Sequence, residues 1–358
     1  MRVLYGIQGT GNGHLARARA LVPALRKTSI ELDFVLSGRA REDYFNMELF
    51  GDFASYDGLS LVTERGRLKA WETVTQNSIR QFMHDCSSLD VGQYDLIISD
   101  FEPLSAWAAR RHRVPTVGIS HQCAFNYAVP KVRGHWNSSL IMKVFAPTAT
   151  HVGLHWHHFN QPILPPLIEP LKSGRTDGNK ILVYMGFEAL EEVLDFVRPF
   201  TEYKFVIYAR VEQEQQLGHL TVKPLSHIEF HRDLQDCFGV ISNAGFELAS
   251  ECLALGKKLL VKPLAGQFEQ LSNALALQAL NRGTVIETLN KKTLGKWLCK
   301  PCHDQIDYPD VATALAQWIE SGREQSLEEL ADELWSGIDM PISFDRRFGR
   351  NLLPGIVS

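Results

Sequence analysis

The sequence lacks any continuous apolar run of about 18 residues, the length that a membrane-spanning helix requires. Its first residues, MRVLYGIQG, also lack the charged start, long apolar stretch and small-residue cleavage site of a secretory signal peptide. We therefore expect a cytoplasmic protein. At 358 residues the chain exceeds what one hydrophobic core usually supports, so we expect two domains.

Cysteine is scarce, with six residues at scattered positions, as is usual in a reducing compartment. Cys299 and Cys302 form one C-x-x-C pair, but no second pair or neighbouring histidine pair completes a zinc site. Four histidines within residues 151–158 likewise have no neighbouring Cys, Asp or Glu. The sequence therefore predicts no metal ion and no other cofactor.

Acidic residues are absent between Pro103 and Ile168. The first 168 residues carry 17 basic and 14 acidic side chains, whereas the rest carry 20 and 27. A positive field attracts phosphate, nucleic acid or anionic lipid, and a chance bias on a solvated face is an equal alternative. No recognisable nucleic-acid motif accompanies the arginines at 110–113, so no nucleic-acid partner is expected.

Apolar strand-like runs alternate with helical periodicity twice along the chain. In the first half, this pattern predicts strands at 2–8, 32–36, 96–99 and 116–119, with helices at 15–26, 71–89 and 104–112. In the second, it predicts strands at 181–185, 205–208, 240–242 and 259–262, with helices at 190–197, 247–255 and 268–280. Such βαβ alternation predicts two Rossmann-like α/β domains that face each other across a cleft.

The two runs of alternating strands and helices are separated by a stretch rich in Pro, Gly and polar residues. We predict a first domain at 1–165, a linker at 166–179 and a second domain at 180–335. The remaining residues, 336–358, have no strong pattern and are expected to pack back on the first domain.

A glycine loop, Gly9-x-Gly11-x-Gly13, follows the first predicted strand and opens the first predicted helix. Glycine permits positive φ and close backbone approach, and a helix start offers free N–H groups to an anion. The spacing differs from the G-x-G-x-x-G dinucleotide fingerprint, and a tight turn without a ligand is the alternative.

Two residues near the strand ends could perform acid–base chemistry. His14 lies in the first helical turn, where the helix dipole favours a neutral ring that can accept a proton from a hydroxyl. Asp100 ends a predicted strand, and its carboxylate could orient that ring. Glu102 is a rival for this role, and capping of the helix that starts near Pro103 is the alternative for Asp100.

The second half carries polar residues at two further strand-to-helix edges. The turn at residues 242–246 provides a second anion site. An acid near the start of its helix can accept both hydroxyls of a ribose, and amides or acids at the next edge can bind sugar hydroxyls. The residues concerned are Asn243, Gly245, Glu247, Glu251, Gln267, Glu269 and Gln270.

These blocks carry a resemblance. GTGNGHLARA together with ISNAGFELASECLALGKKLLVKPLAGQFEQLSNA resembles the MurG-like nucleotide-sugar glycosyltransferases of the GT-B fold. The segment ISDFEPLSAWAARRHRVPTVGISHQ looks like a poorly characterised bacterial and archaeal branch of that group. The similarity spans roughly residues 1–290, and the second-half block is its most diagnostic part.

The resemblance implies donor binding by the second domain and acceptor binding by the first. It matches Glu251 to the ribose-binding acid, Asn243 and Gly245 to the diphosphate turn, and Glu269 with Gln270 to the donor-sugar contacts. The loop residues Gly11, Asn12 and Gly13 and the second-half Gly186 are expected near the donor as well. His14 matches the loop histidine, whereas Asp100 resembles the orienting Asp of plant-type and macrolide-type relatives and has no counterpart in MurG.

One segment departs from the family pattern. Tyr184-Met185-Gly186-Phe187-Glu188 stands where relatives have a Gly/Ser-rich phosphate loop, and an ionised Glu188 there would repel phosphate.

The resemblance implies metal-independent, inverting transfer of a hexose-type sugar, with UDP the favoured nucleotide, to a carbohydrate or lipid-linked hydroxyl acceptor. The basic and apolar tract at 131–145 resembles surfaces by which relatives reach membranes, and a buried helix is the alternative.

Two functions other than glycosyl transfer stay open. A nucleotide-sugar hydrolase is one, because the pattern G-H-x-x-R at 13–17 occurs in relatives that use water; a non-catalytic nucleotide-sugar or nucleic-acid binding protein is the other.

Overall fold

The computed structural model of the protein describes residues 1–59, 79–132, 144–170 and 176–338, with the backbone of a short antiparallel pair, Thr63–Glu64 and Arg67–Leu68. Two β-sheets, each flanked by helices, form two α/β units, as the alternation of the sequence predicts. No helix among the described residues is both long and apolar enough to cross a bilayer.

The first sheet has six parallel strands in the order β3-β2-β1-β4-β5-β6. Its central strands are buried on both faces, which suits their apolar and β-branched sequences, with Asp100 as the charged exception. Ile7 of β1 pairs with Asp100 of β4, so the glycine loop and Asp100 emerge at the same sheet edge. The strands are β1 Arg2–Gln8, β2 Glu31–Ser37, β3 Ala54–Tyr56, β4 Leu96–Asp100, β5 Thr116–Ser120 and β6 Thr150–Gly153.

The second sheet has seven strands in the order β9-β10-β8-β7-β11-β12-β13. All neighbours are parallel except β9 and β10, which form an antiparallel edge. The strands are β7 Lys180–Tyr184, β8 Lys204–Ala209, β9 Gln215–Leu217, β10 Leu220–Pro224, β11 Gly239–Asn243, β12 Lys258–Lys262 and β13 Thr284–Val285.

Helices cover both sheets. The helix predicted at 71–89 is present over Ile79–Ser88, and residues 71–78 lie outside the described part of the chain. The helices are α1 Asn12–Leu25, α2 Ile79–Ser88, α3 Pro103–His112, α4 His121–Ala124, α5 Leu190–Val197, α6 His227–Asp236, α7 Phe246–Ala254, α8 Phe268–Ala279, α9 Lys291–Leu298, α10 Val311–Glu320 and α11 Leu327–Ser336.

The chain returns to its first half through α10 and α11. Helix α10 contacts α1, and Ser29 donates from its backbone N–H and its hydroxyl to Glu320 at 2.7 and 2.8 Å. The indole of Trp335 donates to the carbonyl of Ile163 at 2.6 Å. These contacts precede the predicted tail, of which residues 339–358 lie outside the described part of the chain. The predicted domain boundaries stay a prediction.

Trp156 joins the two halves and is fully buried. Its indole donates to Ser250 Oγ at 2.8 Å, and its ring stacks on Phe246 of α7 at a centroid distance of 5.0 Å.

We expect Trp156→Ala to lower the free energy of unfolding by about 3–5 kcal/mol, because it removes both packing and a hydrogen bond. Chemical denaturation measures this loss. Leu217→Ala, at a side chain 44% exposed, is the control and should change stability by less than about 0.5 kcal/mol.

Candidate functional site

The glycine loop leaves the start of α1 uncapped. Gly11 is the N-cap residue and supplies no side chain to bond the first-turn N–H groups. Its φ of −134° is one that any residue can adopt. Position 9 has no room for a side chain, because a Cβ on Gly9 would lie 2.1 Å from the Tyr44 hydroxyl. A Cβ on Gly11 would meet no atom of the described residues within 4 Å, so within this part of the chain the helix start is open to an anion.

His14 and Asp100 meet as the sequence predicts. His14 Nδ1 lies 2.7 Å from Asp100 Oδ1, and the imidazole is 13% exposed whereas the carboxylate is fully buried. Burial raises the pKa of Asp100, but the charge of Arg17 and the hydrogen bonds from His14 and Arg17 outweigh it and hold the pKa below its usual value. The carboxylate is therefore ionised and directs the Nε2 edge of the ring away from itself.

Glu102, the rival for this position, has a different place. Its buried carboxylate caps α3 by accepting from the backbone N–H groups of Leu104 and Ser105 at 2.7 and 2.6 Å. It also accepts from the hydroxyl of Ser37 at 2.6 Å. The capping role that the sequence left open for Asp100 thus belongs to Glu102.

Arg17 was not singled out as a site residue by the sequence, although it ends the pattern G-H-x-x-R. Its guanidinium donates to Asp100 through Nε at 2.7 Å and through Nη2 at 2.6 Å. Nη2 also lies 3.0 Å from His14 Nδ1, and Nη1 donates to Glu247 of the second half. Arg17 could have been found from the sequence, because it lies three residues after His14 and therefore on the same face of the helix. Arg17 therefore connects the His14–Asp100 pair to the opposite domain.

The start of α7 faces the start of α1 across the cleft. Gly245 is its N-cap residue, has φ of −72°, and provides no side-chain cap. A Cβ on Gly13 would lie 3.3 Å from Glu247 Cγ, which shows how closely the two helix starts approach. Asn243, at the end of β11, donates to the carbonyl of Lys262 at 3.1 Å, and its buried Oδ1 has no hydrogen-bond partner among the described residues.

Glu247 is an acid in the first turn of α7, beside the open helix start. Burial raises its pKa to about 8, although the charge of Arg17 opposes this shift. The charges of Asp100, Glu251 and Glu269 add to the effect of burial, so the protonated form of Glu247 is favoured at neutral pH. A neutral carboxyl can donate a hydrogen bond to a phosphate and does not repel it.

Glu251 lies one turn further along α7 and is 6% exposed. Its Oε1 is 3.0 Å from Nε2 of His231 on α6. Burial lowers the pKa of His231, but the hydrogen bond to Glu251 and its charge outweigh this, so the pKa is raised. The predicted ribose acceptor is thus paired with an imidazole that the sequence analysis did not single out.

The predicted sugar-binding residues have mixed roles. Gln267 caps α8 by accepting from the backbone N–H of Gln270 at 2.7 Å. Gln270 Oε1 accepts from the backbone N–H of Leu264 at 2.9 Å. Glu269 instead accepts across the cleft from Gln122 Nε2, at 2.9 Å, so it faces the first domain. The two glutamine oxygens therefore hold the loop and helix in place.

The segment that departs from the family pattern places Glu188 beside Lys262. Lys262 Nζ lies 2.7 Å from Glu188 Oε1, and Asn243 donates to the same oxygen at 3.3 Å. The lysine neutralises the carboxylate that would repel phosphate. Position 186 has room for a Cβ atom, because the nearest neighbour of a Cβ on Gly186 would be Tyr184 at 3.7 Å, an ordinary van der Waals distance.

A second contact across the cleft was missed by sequence reasoning. His121 Nε2 lies 2.6 Å from Asn273 Oδ1, and its ring stacks on Phe246 with centroids 3.9 Å apart. Nothing in the local sequence pairs residues 152 positions apart. Of the tract at 131–145, residues 133–143 lie outside the described part of the chain.

A cavity of about 120 Å³ lies between the two halves. The first domain contributes the start of α1, and the second contributes α6 and α7. Aromatic rings, two acids and two histidines line it, so it offers both stacking and polar contacts. Its lining includes Asn12, Gly13, Arg19, Phe45, Tyr184, Tyr208, Phe230, His227, His231, Glu247 and Glu251.

Structures similar to this chain are glycosyltransferases. The glycosyltransferase SnogD from Streptomyces nogalater is 15% identical, with 94% of this chain and 99% of that chain covered and a TM-score of 0.52. SsfS6 from Streptomyces sp. SF2575, complexed with thymidine diphosphate, is 12% identical, with 94% and 95% covered and a TM-score of 0.56. LpCGTa, in complex with UDP, is 13% identical, with 94% and 98% covered and a TM-score of 0.56.

At these identities the structural likeness shows the fold, and the predicted GT-B architecture is confirmed. A search of curated protein sequences finds no significant match. A family model described as "Glycosyl transferase family 1" matches residues 1–301, most of the chain. The chain therefore belongs to glycosyl transferase family 1.

Proposed function

We propose that this glycosyltransferase moves a hexose-type sugar from a nucleoside diphosphate donor, with UDP favoured, to a hydroxyl of a carbohydrate or lipid-linked acceptor. The His14–Asp100 pair carries the proposal, because it places a base opposite the open start of α7. The nucleoside diphosphates in the SsfS6 and LpCGTa structures support a donor of this class.

The reaction we propose is a single displacement with inversion. The acceptor hydroxyl loses its proton to His14 Nε2 as its oxygen bonds to the anomeric carbon, while the bond from that carbon to the diphosphate breaks. Asp100 stabilises the imidazolium that forms. The start of α7 and the protonated Glu247 receive the departing diphosphate, so the chemistry needs no metal at the reacting atoms.

Replacing the base tests this assignment. We expect His14→Ala to reduce turnover by about 10²–10⁴-fold with donor binding retained, since the ring lost is the proton acceptor. Release of nucleoside diphosphate from UDP-, GDP- and dTDP-sugars, with and without a membrane lipid extract, measures turnover. His84→Ala, at an exposed histidine of α2, is the control. Wild-type turnover in His14→Ala would contradict the proposal, and free sugar released equally without any acceptor would identify a hydrolase.

Glu251 is proposed to accept the ribose hydroxyls. Glu251→Gln removes a charged acceptor, so we expect the affinity for UDP to fall about tenfold. Isothermal titration calorimetry measures the dissociation constant. Glu328→Gln, at an exposed residue of α11, should bind UDP as the wild type does. Unchanged affinity in Glu251→Gln would remove this residue from the donor site.

Glu247 makes stability depend on pH. Its pKa is about 8 in the folded chain against an ordinary 4.5, so folding favours the protonated form. This contribution is fully present below pH 4.5 and is lost as pH rises through about 8. Denaturant unfolding from pH 5 to 9 should therefore show a steeper loss of stability in the wild type than in Glu247→Gln. Identical pH profiles would mean that Glu247 is ionised throughout as a plain ion-pair partner of Arg17.

A further inference from the structure

Two histidines on one face of α6 meet a carboxylate from the segment that joins the two halves. His227 and His231 are one helical turn apart, with ring centroids 4.3 Å apart. His227 Nε2 lies 2.9 Å from Glu169 Oε1. One nitrogen or oxygen atom from each of the three residues lies within 4.8 Å of the others. The three side chains thus converge on one point beside the cavity that His227 and His231 line.

The donor set matches the ligand chemistry of zinc. Histidines at i and i+4 on a helix, joined by a distant carboxylate, provide two imidazoles and one oxygen. Zinc bonds such atoms at about 2.0–2.2 Å, which puts tetrahedral ligands roughly 3.3 Å apart. The Glu169–His227 distance is already near this value, so small rotations of the side chains would close the set around one ion.

The charge of the site also favours a cation. Within the described part of the chain, the ion pairs of Glu169 and Glu251 are with His227 and His231 respectively. When the imidazoles are neutral, as metal ligands must be, Glu169 and Glu251 carry two negative charges. Arg19 donates its guanidinium to the carbonyls of Phe45 and Asn46 at 2.9 and 3.2 Å, and its positive charge also acts on Glu169. The three charges leave the group net negative, which favours a cation.

We propose that Glu169, His227 and His231 bind one Zn²⁺-like divalent cation, with a fourth position open to water or to a ligand in the cavity. The ion would tie the segment before residue 170 to α6 and so fix one wall of the cavity. It does not belong to the His14–Asp100 pair, and the proposed transfer needs no metal at its reacting atoms. Two hydrogen-bonded His–carboxylate pairs without any ion are the alternative.

The test is titration of the chelator-treated full chain with ZnCl₂ by calorimetry. We expect one equivalent to bind, and His227→Gln and His231→Gln each to weaken binding by more than about tenfold. The exposed Cys299 and Cys302 could also bind zinc, so the Cys299→Ser/Cys302→Ser variant is the matched control and should bind as the wild type does. His84→Ala is the second control.

Three outcomes would overturn the proposal: no binding, affinity unchanged in both α6 variants, or binding lost with the two serines. Circular dichroism of each variant shows whether it folds. If an α6 variant does not fold, Co²⁺ added to the Cys299→Ser/Cys302→Ser variant gives the answer, because this variant lacks the two exposed thiols. Tetrahedral nitrogen and oxygen ligands give visible d–d absorption without a thiolate charge-transfer band. A thiolate band, or no visible absorption, would contradict the site.

Discussion

The structure depends on one fully buried carboxylate. Asp100 has no solvent to stabilise its charge, so its environment must supply donors, and it does so with Arg17 on one side and His14 on the other. Removal of either partner would leave a buried charge undercompensated. Arg17 extends the same network to Glu247, so the group that orients the base also contacts the opposite helix start. The base and the anion site are therefore coupled through one guanidinium.

Much of this could be predicted from the sequence because it follows from strand and helix patterns. The runs at 2–8 and 96–99 are apolar and β-branched, and the carboxyl ends of parallel strands share one edge, so His14 and Asp100 were expected as neighbours. The block at residues 241–274, which resembles MurG-like glycosyltransferases, was the most diagnostic signal for the GT-B fold. The observed helix α5 Leu190–Val197 matches its predicted bounds.

The rest depends on partners far apart in the chain. Gln122 with Glu269, and Glu188 with Lys262, are contacts that local periodicity does not encode. Gln267 and Gln270 are predicted donor-sugar contacts, and the structure adds that their side-chain oxygens accept backbone N–H groups.

The protonation of His14 tests the account most directly. If Asp100 orients the ring, Nδ1 carries the proton towards the carboxylate and Nε2 is left to accept one from the acceptor. If Arg17 Nη2 donates to Nδ1 instead, the proton lies on Nε2. Nitrogen-15 NMR of the wild type at pH 8, with the His14 signals assigned by comparison with His14→Ala, distinguishes the two. The account predicts a neutral ring with its proton on Nδ1, and a proton on Nε2 of that neutral ring would contradict it.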